Sequence, residues 1–529
     1  MSANKLEKIL QIKGLTRRDF MVQATALGVA AAPASAFWAD SVKAATPNKG
    51  GRLRLGIGAG STTDSLDPAT FTDTYMQFVG YGLRNHLAET SNTSELIPEL
   101  AESWEASDDA STWTFKLRKG VEFHNGKTLD ADDVVASINH HRTEDSKSAA
   151  KEILKPIKEV KADGKGTVVF ELSGGSADFP FLVSDYHVAI MPAKDGKIDW
   201  QSGIGTGGYM LDSFEPGVRT TLKRNPNYWK SGRAHFDEAE VLVISDVTAR
   251  TNALTTGEID AMDQVDLKTA HLLKRNKKIK IQETSGTQHY TFAMHTNKAP
   301  FDNNDVRLAL KYAIDREALV KTILRGHGVV GNDHPIGRSN FFHASDLPQR
   351  AYDPDKAKFH LKKAGLSSLK VDLSAADAAY SGAVDAAVLY KEHAAKAGIE
   401  INVVRESNDG YWANVWLKKP WSAVYWGGRQ TEDWMFSLAY ADGAAWNDSF
   451  WKHERFNKLL IEARAELNSD KRRGMYFEMQ KIVSDEGGVV VPMFANYVFA
   501  LSNKIGHDEN MSAEKNLDGT KGMERWWFT

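Results

Sequence analysis

The sequence predicts an α/β protein made of two or three folding units. In the second half of the chain, segments with the periodicity of helices alternate with short strand-like segments. The chain has 529 residues, which is more than one hydrophobic core normally supports. Its hydrophobic content of 42% is ordinary for a globular protein, so each unit has enough apolar residues to form a packed core.

Alternation of apolar and polar residues predicts strands in the first half of the chain. Residues 51–57, 113–118 and 167–172 show this alternation over a length typical of strands. A shorter strand is predicted at residues 121–123. Asp130 then precedes an apolar helix face and belongs to the residue types that cap helix N-termini, so we expect a helix to start there.

Capping residues mark the helix starts of the second half. Asn303 or Asn304 can cap one helix, and Asp353 precedes a proline at the first position of another. The remaining predicted elements of this half are helices at residues 383–397 and 456–482 and strands at residues 399–404 and 488–492.

A glycine-rich segment at residues 203–208 matches the G-x-G-x-x-G pattern of dinucleotide sites. That pattern binds a pyrophosphate where a strand precedes the glycines and a helix follows them. Here the glycines lead into residues 209–214, whose pattern is that of a strand. We therefore predict no dinucleotide site in this segment.

The first 44 residues have the organisation of an export signal. The adjacent Arg17 and Arg18 lie before a short apolar run at residues 21–32, and Ala34-Ser35-Ala36 offers a cleavage site of the A-x-A type. Twin arginines of this kind are read by a bacterial exporter of folded proteins, so we expect the mature chain outside the cytoplasm. Cleavage after Ala36 and cleavage after Ala44 both remain open, and an amphipathic helix with a fortuitous arginine pair is the alternative.

Composition excludes several classes of protein. The chain contains no cysteine, which rules out disulfides, thiol catalysis and a lipid anchor on an N-terminal cysteine. The leader up to Ala36 carries five basic and two acidic residues, so its removal changes the formal net charge from -3 to -6. Such mild acidity argues against nucleic acid as a partner. A diffusing protein of the bacterial periplasm fits these features.

Tryptophan is concentrated in one part of the chain. Seven of the 14 tryptophans lie within residues 412–451. Tryptophan has a large apolar face and one N–H donor, so this density suits either a large core or a wall that holds a ligand. We expect two or three of the seven to face a ligand and the others to lie in the core.

A series of phrases resembles the solute-binding proteins of ABC importers for oligopeptides, dipeptides and nickel chelates. The phrases occur in the order of that family over nearly the whole chain after the leader. They include Ser65-Leu66-Asp67-Pro68, residues 100–105, Gly205-Thr206-Gly207-Gly208-Tyr209, residues 224–229, Gly257-Glu258-Ile259-Asp260 and residues 306–317. These are scaffold residues, so they identify the fold and not the ligand.

The resemblance implies a two-lobed periplasmic-binding-protein fold of type II, cluster C, with an extra subdomain inserted in the first lobe. The expected boundaries are a signal peptide at 1–44, lobe I at 45–80, 204–295 and 490–529, the inserted subdomain at 81–203, and lobe II at 296–489. The implied function is capture of short peptides between the lobes and delivery to the permease subunits of an ABC transporter and their ATPase. The family also implies a monomer that closes on its ligand and carries no cofactor.

The resemblance also implies where a peptide would bind. Peptide-binding members place an aspartate before the proline of a late loop, where it binds the peptide amino group. We match Asp433 to that aspartate, although Trp434 replaces the proline and the register is open by one residue; an ordinary surface acid is the alternative. A buried carboxylate needs a cation, so Asp433 would select a ligand amine or Arg429. Arg429 would otherwise bind a ligand carboxylate, and Trp426 and Trp412 could stack on the ligand.

Dipeptide binders place an arginine shortly before a Tyr-Asn-Pro phrase, and the comparable residues 374–382 contain no arginine. This difference argues against a strict dipeptide binder. Asp377 could face a second positive group, with a helix N-cap as the alternative, and Tyr380 keeps an aromatic hydroxyl near the cleft. Tyr290 and Asn496, near the expected hinge crossings, and Thr63, in the first loop, complete the candidate ligand-binding residues.

Other functions remain open alternatives. The same role with a sugar, an opine-like conjugate or a nickel chelate is compatible with the tryptophans and the missing arginine. A metal or haem carrier would use His289, His295, His334 or His343 near the cleft. A hydrolytic enzyme is a remote alternative, because the sequence has no H-E-x-x-H or G-x-S-x-G motif. We therefore predict no catalytic residues and no metal ligands.

Overall fold

The computed structural model describes residues 47–148 and 150–529, so the predicted signal peptide at 1–44 lies outside the described residues. The strands, in chain order, are β1 (Arg52–Ile57), β2 (Ala88–Thr90), β3 (Leu96–Pro98), β4 (Ala101–Ala106), β5 (Thr112–Leu117), β6 (Ile157–Ala162), β7 (Thr167–Leu172), β8 (Ala193–Lys194), β9 (Lys197–Ile198), β10 (Tyr209–Glu215), β11 (Arg219–Arg224), β12 (Glu238–Val243), β13 (Ala261–Met262), β14 (Ile279–Met294), β15 (Gly328–Val330), β16 (Leu369–Ala375), β17 (Ile399–Arg405), β18 (Trp421–Trp426), β19 (Val489–Ser502), β20 (Ile505–Gly506) and β21 (Trp527–Phe528). The helices are α1 (Thr74–Leu83), α2 (Ala131–His140), α3 (Lys151–Leu154), α4 (Phe179–Leu182), α5 (Val247–Thr256), α6 (Ala270–Leu273), α7 (Asn304–Tyr312), α8 (Arg316–Thr322), α9 (Pro354–Lys363), α10 (Ala383–Ala395), α11 (Tyr411–Asn414), α12 (Glu432–Ala439), α13 (Glu454–Ala465), α14 (Ser469–Glu486), α15 (Asn516–Gly519) and α16 (Gly522–Arg525).

One mixed sheet of 11 strands runs through two lobes. Its order is β10-β11-β12-β1-β13-β19-β14-β18-β16-β17, and β15 pairs with β19. In the middle of this order lie β14 and β19, which have 16 and 14 residues. Strands β1 and β10–β13 on one side belong to the first lobe, and β16–β18 on the other side belong to the second lobe. The two-lobed α/β architecture predicted from the sequence is therefore present.

The two long antiparallel strands connect the lobes. Their register shifts between Ser285, which pairs with Asn496, and His289, which pairs with Phe494. Such a shift is a bulge, where the ladder is interrupted and the strand bends. Gly286 lies in this bulge. A Cβ atom at this position would be only 2.6 Å from the ring of Tyr497 on β19, so the close approach of the two strands requires a glycine here. The bulge lies between the first-lobe and second-lobe parts of the two strands, where the two-lobed fold is expected to have its hinge.

The residues between α1 and β10 form a unit with its own sheet and core. The sheet is antiparallel in the order β4-β5-β7-β6. Phe115, Phe170 and Phe179 meet in its core, and the rings of Phe115 and Phe170 are 5.4 Å apart and edge to face. The cap of α2 is the predicted Asp130, which forms a reciprocal capping box with Asp133. This unit is the extra subdomain inserted in the first lobe.

Helices cover both faces of the sheet in the second lobe. One core contains Phe292 and Tyr390, between the sheet and helices α7, α9 and α10. The other contains Phe436 and Phe456, between the sheet and helices α12–α14. Parallel strands are normally covered in this way, because both faces of such a sheet are apolar.

Most of the predicted elements are confirmed. Asn303, and not Asn304, caps α7 by accepting a hydrogen bond from Asp305 N, and Asp353 caps α9. The glycines at 203–208 lead into strand β10, so the helix needed for a dinucleotide site does not follow them.

Two local predictions differ from the structure. Residues 456–482 do not form one helix, because Asn468 accepts a hydrogen bond from Lys471 N and starts α14 after a break from α13. Residues 121–123 do not form a strand, since Glu122 makes an isolated bridge with Thr128. In both places a local feature, a capping side chain or a turn, decides the secondary structure against the apolar periodicity of the segment.

Among the described residues, no helix combines the length and the apolar character required to cross a bilayer.

Candidate functional site

The candidate site lies where the parallel strands of the second lobe end. Because β16 pairs in parallel with β17 and β18, the last residues of the three strands, Ala375, Arg405 and Trp426, lie at one edge. Trp426 pairs with His289, next to the bulge between the lobes, so this edge faces the first lobe. Ligands of α/β proteins bind outside the carboxyl ends of parallel strands, which makes this edge the expected position of a site.

The two lobes are in contact beside this edge. Gln430 Nε2 is 3.3 Å from Thr90 Oγ1 of the inserted subdomain. Asp178, in the same subdomain, forms a 2.7 Å ion pair with Arg472 of α14, and both side chains are 9% exposed. These contacts hold the second lobe against the first, so the structure represents a closed arrangement.

Aromatic side chains line the second-lobe side of the cleft. The rings of Tyr290 and Tyr380 stack 3.9 Å apart with an angle of 4° between their planes. Tyr425 pairs with Tyr290 in the sheet, and its ring contacts Trp412 at 5.5 Å. Trp412 and Tyr425 remain 39% and 42% exposed. We call these four residues the aromatic wall; the partly exposed rings of Trp412 and Tyr425 suit contact with a ligand backbone or side chain, and the buried ring of Tyr380 supports Tyr290.

Three tryptophans surround a buried carboxylate beside the wall. Trp416 Nε1 and Trp426 Nε1 donate hydrogen bonds of 3.3 and 3.2 Å to Asp448 Oδ2. The ring of Trp446 contacts both indoles and is 45% exposed. Asp448 is 3% exposed, and no cation pairs with it in residues 47–148 and 150–529. Burial raises the pKa of Asp448 to about 7, because the charged form loses its hydration without gaining a countercharge.

Arg429 lies in the loop that follows β18. Its Nη1 donates to the carbonyl oxygens of Gly427 and Gly428 at 2.7 and 3.1 Å, and the guanidinium lies 5.8 Å from the Trp434 ring centroid. No carboxylate of the described chain forms an ion pair with Arg429, and Nε and Nη2 have no hydrogen-bond partner there. Burial lowers the pKa of Arg429. The Nε–Nη2 edge of this guanidinium therefore remains available to a bidentate anion.

The first lobe places a second cation near Arg429. Lys515 Nζ donates to Gln77 Oε1 at 2.9 Å and lies 4.0 Å from the centroid of the Tyr186 ring. Burial lowers the pKa of Lys515 to about 8, and the charge of Arg429 contributes in the same direction. The carboxylate of Asp185, in the inserted subdomain, acts on both cations in the opposite direction.

Asp433 occupies the first turn of α12. Its two carboxylate oxygens accept hydrogen bonds of 3.1 and 3.2 Å from Arg464 Nε. We expected Asp433 to pair with a ligand amine or with Arg429, but the structure pairs it with Arg464. Burial raises the pKa of Asp433 to about 6. Its role as an amine anchor stays a prediction, and such a role would require the ligand to compete with Arg464.

The remaining predicted residues are spread over the cleft region. Asp377 is exposed and accepts a hydrogen bond from Gly382 N; it is not the N-cap of α10, because that position is Gly382 and no side chain caps the helix. Asn496 donates to Glu283 on the first-lobe side of the hinge. Thr63 is exposed and bonds to Ser61 at 2.8 Å, apart from the aromatic wall. Ligand contact by these three residues stays a prediction.

The histidines of the haem or metal alternative are mostly buried in the second lobe. Burial lowers the pKa of His289 to about 4 and that of His334 to about 3. The rings of His334 and His343 are 5.8 Å apart. The part of the chain that the structure describes contains no group of three or more His, Cys, Asp or Glu residues placed to hold a metal ion.

Sequence reasoning missed four residues that the structure brings to this region. They are Tyr186, Tyr425, Asp448 and Lys515. Tyr425 and Asp448 lie within or next to the tryptophan-rich segment, so its unusual composition was a usable signal. Nothing in the local sequence of Tyr186 or Lys515 marks a ligand site, since both are brought there by the packing of the first lobe.

Relatives of this chain are found over most of its length. The family model described as "Bacterial extracellular solute-binding proteins, family 5 Middle" matches residues 95–448. The dipeptide-binding protein of Escherichia coli (strain K12) is 28% identical over 469 residues, which is 81% of this chain and 86% of that protein. Heme-binding protein A of Haemophilus influenzae (strain ATCC 51907 / DSM 11121 / KW20 / Rd) is 30% identical over 308 residues, which is 53% of this chain and 56% of that protein.

Solved structures share the fold. HbpA2 from Haemophilus parasuis superposes with a TM-score of 0.80 at 21% identity and covers 90% of this chain and 100% of its own. The periplasmic binding protein DppA from Helicobacter pylori, in complex with the peptide STSA, gives a TM-score of 0.71 at 23% identity and covers 93% and 100%. The predicted two-lobed, type II periplasmic-binding-protein fold is therefore confirmed. Because the family model matches more than half of the chain, this protein belongs to family 5 of the bacterial extracellular solute-binding proteins.

Proposed function

We propose that this protein is the periplasmic receptor of an ABC importer and captures short peptides between its two lobes. The observation that carries the proposal is the pair of unpaired, opposite charges beside the aromatic wall. Arg429 lacks an anionic partner, and Asp448 lacks a cationic one, within the described residues. A short peptide carries a carboxylate and an ammonium joined by an amide backbone, and could satisfy both charges while its body lies on the rings.

Two of the relatives support a peptide as the ligand. The dipeptide-binding protein of Escherichia coli aligns over 81% of this chain, and the Helicobacter pylori structure holds the peptide STSA. The aromatic wall of Tyr290, Tyr380, Trp412 and Tyr425, together with Trp426 and Arg429, forms the proposed second-lobe part of the site. The resemblance indicates Asp433 as the amine anchor, but Asp433 already pairs with Arg464. Asp448 is the acid beside the wall that has no cation among the described residues.

The remaining parts of the proposal come from the sequence and the family. Residues 1–44 would direct export by the twin-arginine route, and the mature chain would work in the periplasm as a monomer without enzymatic activity. It would deliver its ligand to permease subunits driven by their ATPase. The division into lobe I, inserted subdomain and lobe II at the boundaries given above is part of the same proposal, although the end of β14 from His289 to Met294 extends past the bulge and pairs with β18 of the second lobe.

Thermal unfolding tests the ligand class directly. The purified protein is heated with di- to pentapeptides, opines, oligosaccharides, haem and nickel chelates. A ligand that binds the native state alone stabilises it by about 2.7 kcal/mol at a hundredfold excess over Kd, so a true ligand gives a clear shift in Tm. A shift with peptides supports the proposal. No shift with peptides but a clear shift with a sugar, opine, haem or chelate overturns the peptide assignment and leaves the transport role.

A further inference from the structure

We propose that a weakly hydrated cation of the ligand, a guanidinium or a methylated ammonium, binds on the rings of Trp416 and Trp446 in front of the buried Asp448. This inference rests on the proposed function and narrows the chemistry of the ligand's positive group. Among the described residues Asp448 forms no ion pair, and indole groups cover its carboxylate. The positive charge that this acid lacks would therefore act on it through the rings.

Three indole rings form a cluster with nearly equal spacings. The ring of Trp416 lies 6.3 Å from that of Trp426 and 6.1 Å from that of Trp446, and the rings of Trp426 and Trp446 are also 6.1 Å apart. Their planes meet at 71°, 71° and 48°, so the rings do not form a flat stack. We call Trp416, Trp426 and Trp446 the indole corner. A cation within about 6 Å of a ring centroid is attracted by the ring face, and the corner offers more than one face.

The carboxylate of Asp448 strengthens the attraction of the indole corner for a cation. Its Oδ2 accepts hydrogen bonds of 3.3 and 3.2 Å from the Nε1 atoms of Trp416 and Trp426. An anion at the N–H edge increases the electron density of the ring, because hydrogen bonds in a low-dielectric interior polarise the groups that they join. The charge of Asp448 also attracts a cation on the rings directly, since burial leaves little water to screen it.

The position of the carboxylate favours a weakly hydrated cation over a primary ammonium. Asp448 is 3% exposed, and its Oδ2 already accepts two hydrogen bonds, so a ligand meets ring faces before it meets the carboxylate. A primary ammonium has three N–H donors, and ring faces satisfy these donors less well than oxygen atoms do. A guanidinium is more weakly hydrated, and methylated ammonium groups are bound by aromatic cages.

Asn447 holds the loop that carries Trp446 and Asp448. Its side chain is buried, and Nδ2 donates to Ala441 O at 3.2 Å and to Trp451 O at 2.8 Å, one on each side of the loop. Trp446 itself is 45% exposed. The loop is therefore fixed by its own hydrogen bonds, while the Trp446 ring stays open to a ligand.

The indole corner continues the aromatic wall. Trp412 belongs to the wall, and its ring lies 5.5 Å from that of Tyr425 and 5.9 Å from that of Trp416. In the part of the chain that the structure describes, the lysine and arginine groups that stack on tryptophan do so on Trp229 and Trp434 instead. A ligand that lies on the wall can therefore place its own cation on the corner.

Matched peptides measure the contribution of the cation. One pair is N-acetyl-Ala-Arg-Ala and its neutral citrulline analogue, and the other is trialanine with an N-terminal trimethylammonium group and N-acetyl-trialanine. Calorimetry gives Kd for each. We expect the charged member to bind at least about tenfold more tightly in the first pair if a side chain reaches the corner, and in the second pair if the N-terminus does. Equal binding within both pairs overturns the proposal.

Two variants separate the indole corner from a general charge effect. The amide oxygen of Asp448→Asn can still accept the indole hydrogen bonds, and Trp446→Leu changes an exposed side chain, so both should fold. In each we expect the charged and neutral peptides to differ by less than about threefold. The control is Asp442→Asn, which removes an exposed charge of the same loop and should keep the full ratio. Retention of the full ratio in Asp448→Asn or Trp446→Leu overturns the proposal, even where the Tm of the unliganded variant falls.

The two proposals fail in different ways, and trialanine with a free N-terminus separates them. If trialanine alone binds, or if peptides bind and charge makes no difference, peptide capture stands and the cation site is wrong. If none of the five peptides binds, peptide capture is wrong, and the ligand is taken from the thermal-unfolding screen. A ligand with a positive group then supports the cation site if its Kd rises at least about tenfold in Asp448→Asn and Trp446→Leu and not in Asp442→Asn. A ligand without a positive group, or one with any other pattern, overturns it.

Discussion

Replacing Asp178 by asparagine should weaken ligand binding without unfolding the protein. Asp178 is the first-lobe partner of Arg472 in the buried interlobe ion pair. Its side chain makes no capping bond to α4, so the carboxylate serves this pair and not the local helix. In an open arrangement both groups would be hydrated, and the loss would therefore affect closure.

The expected loss of binding free energy in Asp178→Asn follows from the contacts that Arg472 keeps. A hydrogen bond to a charged group contributes about 1.5–3 kcal/mol, whereas loss of one partner in a fully buried pair costs about 3–5 kcal/mol. Arg472 keeps its bond to Ala463 O at 3.1 Å and its contact with Tyr476, so the lower range applies. Since 1.4 kcal/mol is a factor of ten, we expect Kd to rise by roughly 10- to 150-fold.

The ligand for this test is the compound that raises the Tm most in the thermal-unfolding screen. Calorimetry measures its Kd for the wild type and for Asp178→Asn, and small-angle scattering shows whether the lobes of each protein close when the ligand binds. Asp163→Asn is the control, because Asp163 is an exposed acid on the same subdomain, in the turn between β6 and β7. The control should bind like the wild type. The reasoning is refuted if Asp178→Asn binds within about twofold of the wild type, or if its unliganded Tm falls while its affinity stays the same.

Three other predictions concern the second lobe and the first-lobe core. Burial raises the pKa of Asp448 and of Glu432 to about 7, so the folded state binds protons that the unfolded state has released. Buried histidines with lowered pKa values, such as His289 and His334, act in the opposite sense, so the test compares two proteins. As pH rises from about 4.5 to 7, the free energy of unfolding of the wild type in urea should fall relative to that of Asp448→Asn; equal slopes would contradict this. Gly428→Ala should displace the loop of Arg429 and weaken binding at least about tenfold by calorimetry, because its Cβ would collide with Thr287; unchanged affinity would count against the hinge contact. Lys230→Met should lower the free energy of unfolding by at least about 3 kcal/mol, because it leaves three buried glutamates without their shared cation; denaturant titration within 1 kcal/mol of the wild type would disprove this.

Local patterns predicted the elements that depend on neighbouring residues. The caps at Asp130 and Asp353 were predictable because a capping side chain bonds to backbone groups two or three residues away. The rejection of the glycine motif at 203–208 rested on the strand that follows it, and β10 is that strand. The break at Asn468 was not predicted, because apolar periodicity continues across it and the cap is a single polar residue.

The candidate site was predictable where a family motif or an unusual composition marks it. The loop of Arg429 and the tryptophans around Trp426 were found in this way, whereas the pairing of Asp433 with Arg464 was not. Arg464 lies in another helix, and sequence patterns do not specify which of several cations a buried carboxylate meets.

The sequence by itself determined the class of the protein: an α/β chain with the phrases of a family 5 solute-binding protein. The tertiary structure decided which charges meet between the lobes. Asp178 meets Arg472, and Thr90 meets Gln430, only because β14 and β19 carry the chain between the lobes and the closed arrangement brings the lobes into contact. Secondary structure follows from interactions over a few residues, but a site between lobes depends on distant segments and on the water that their packing removes.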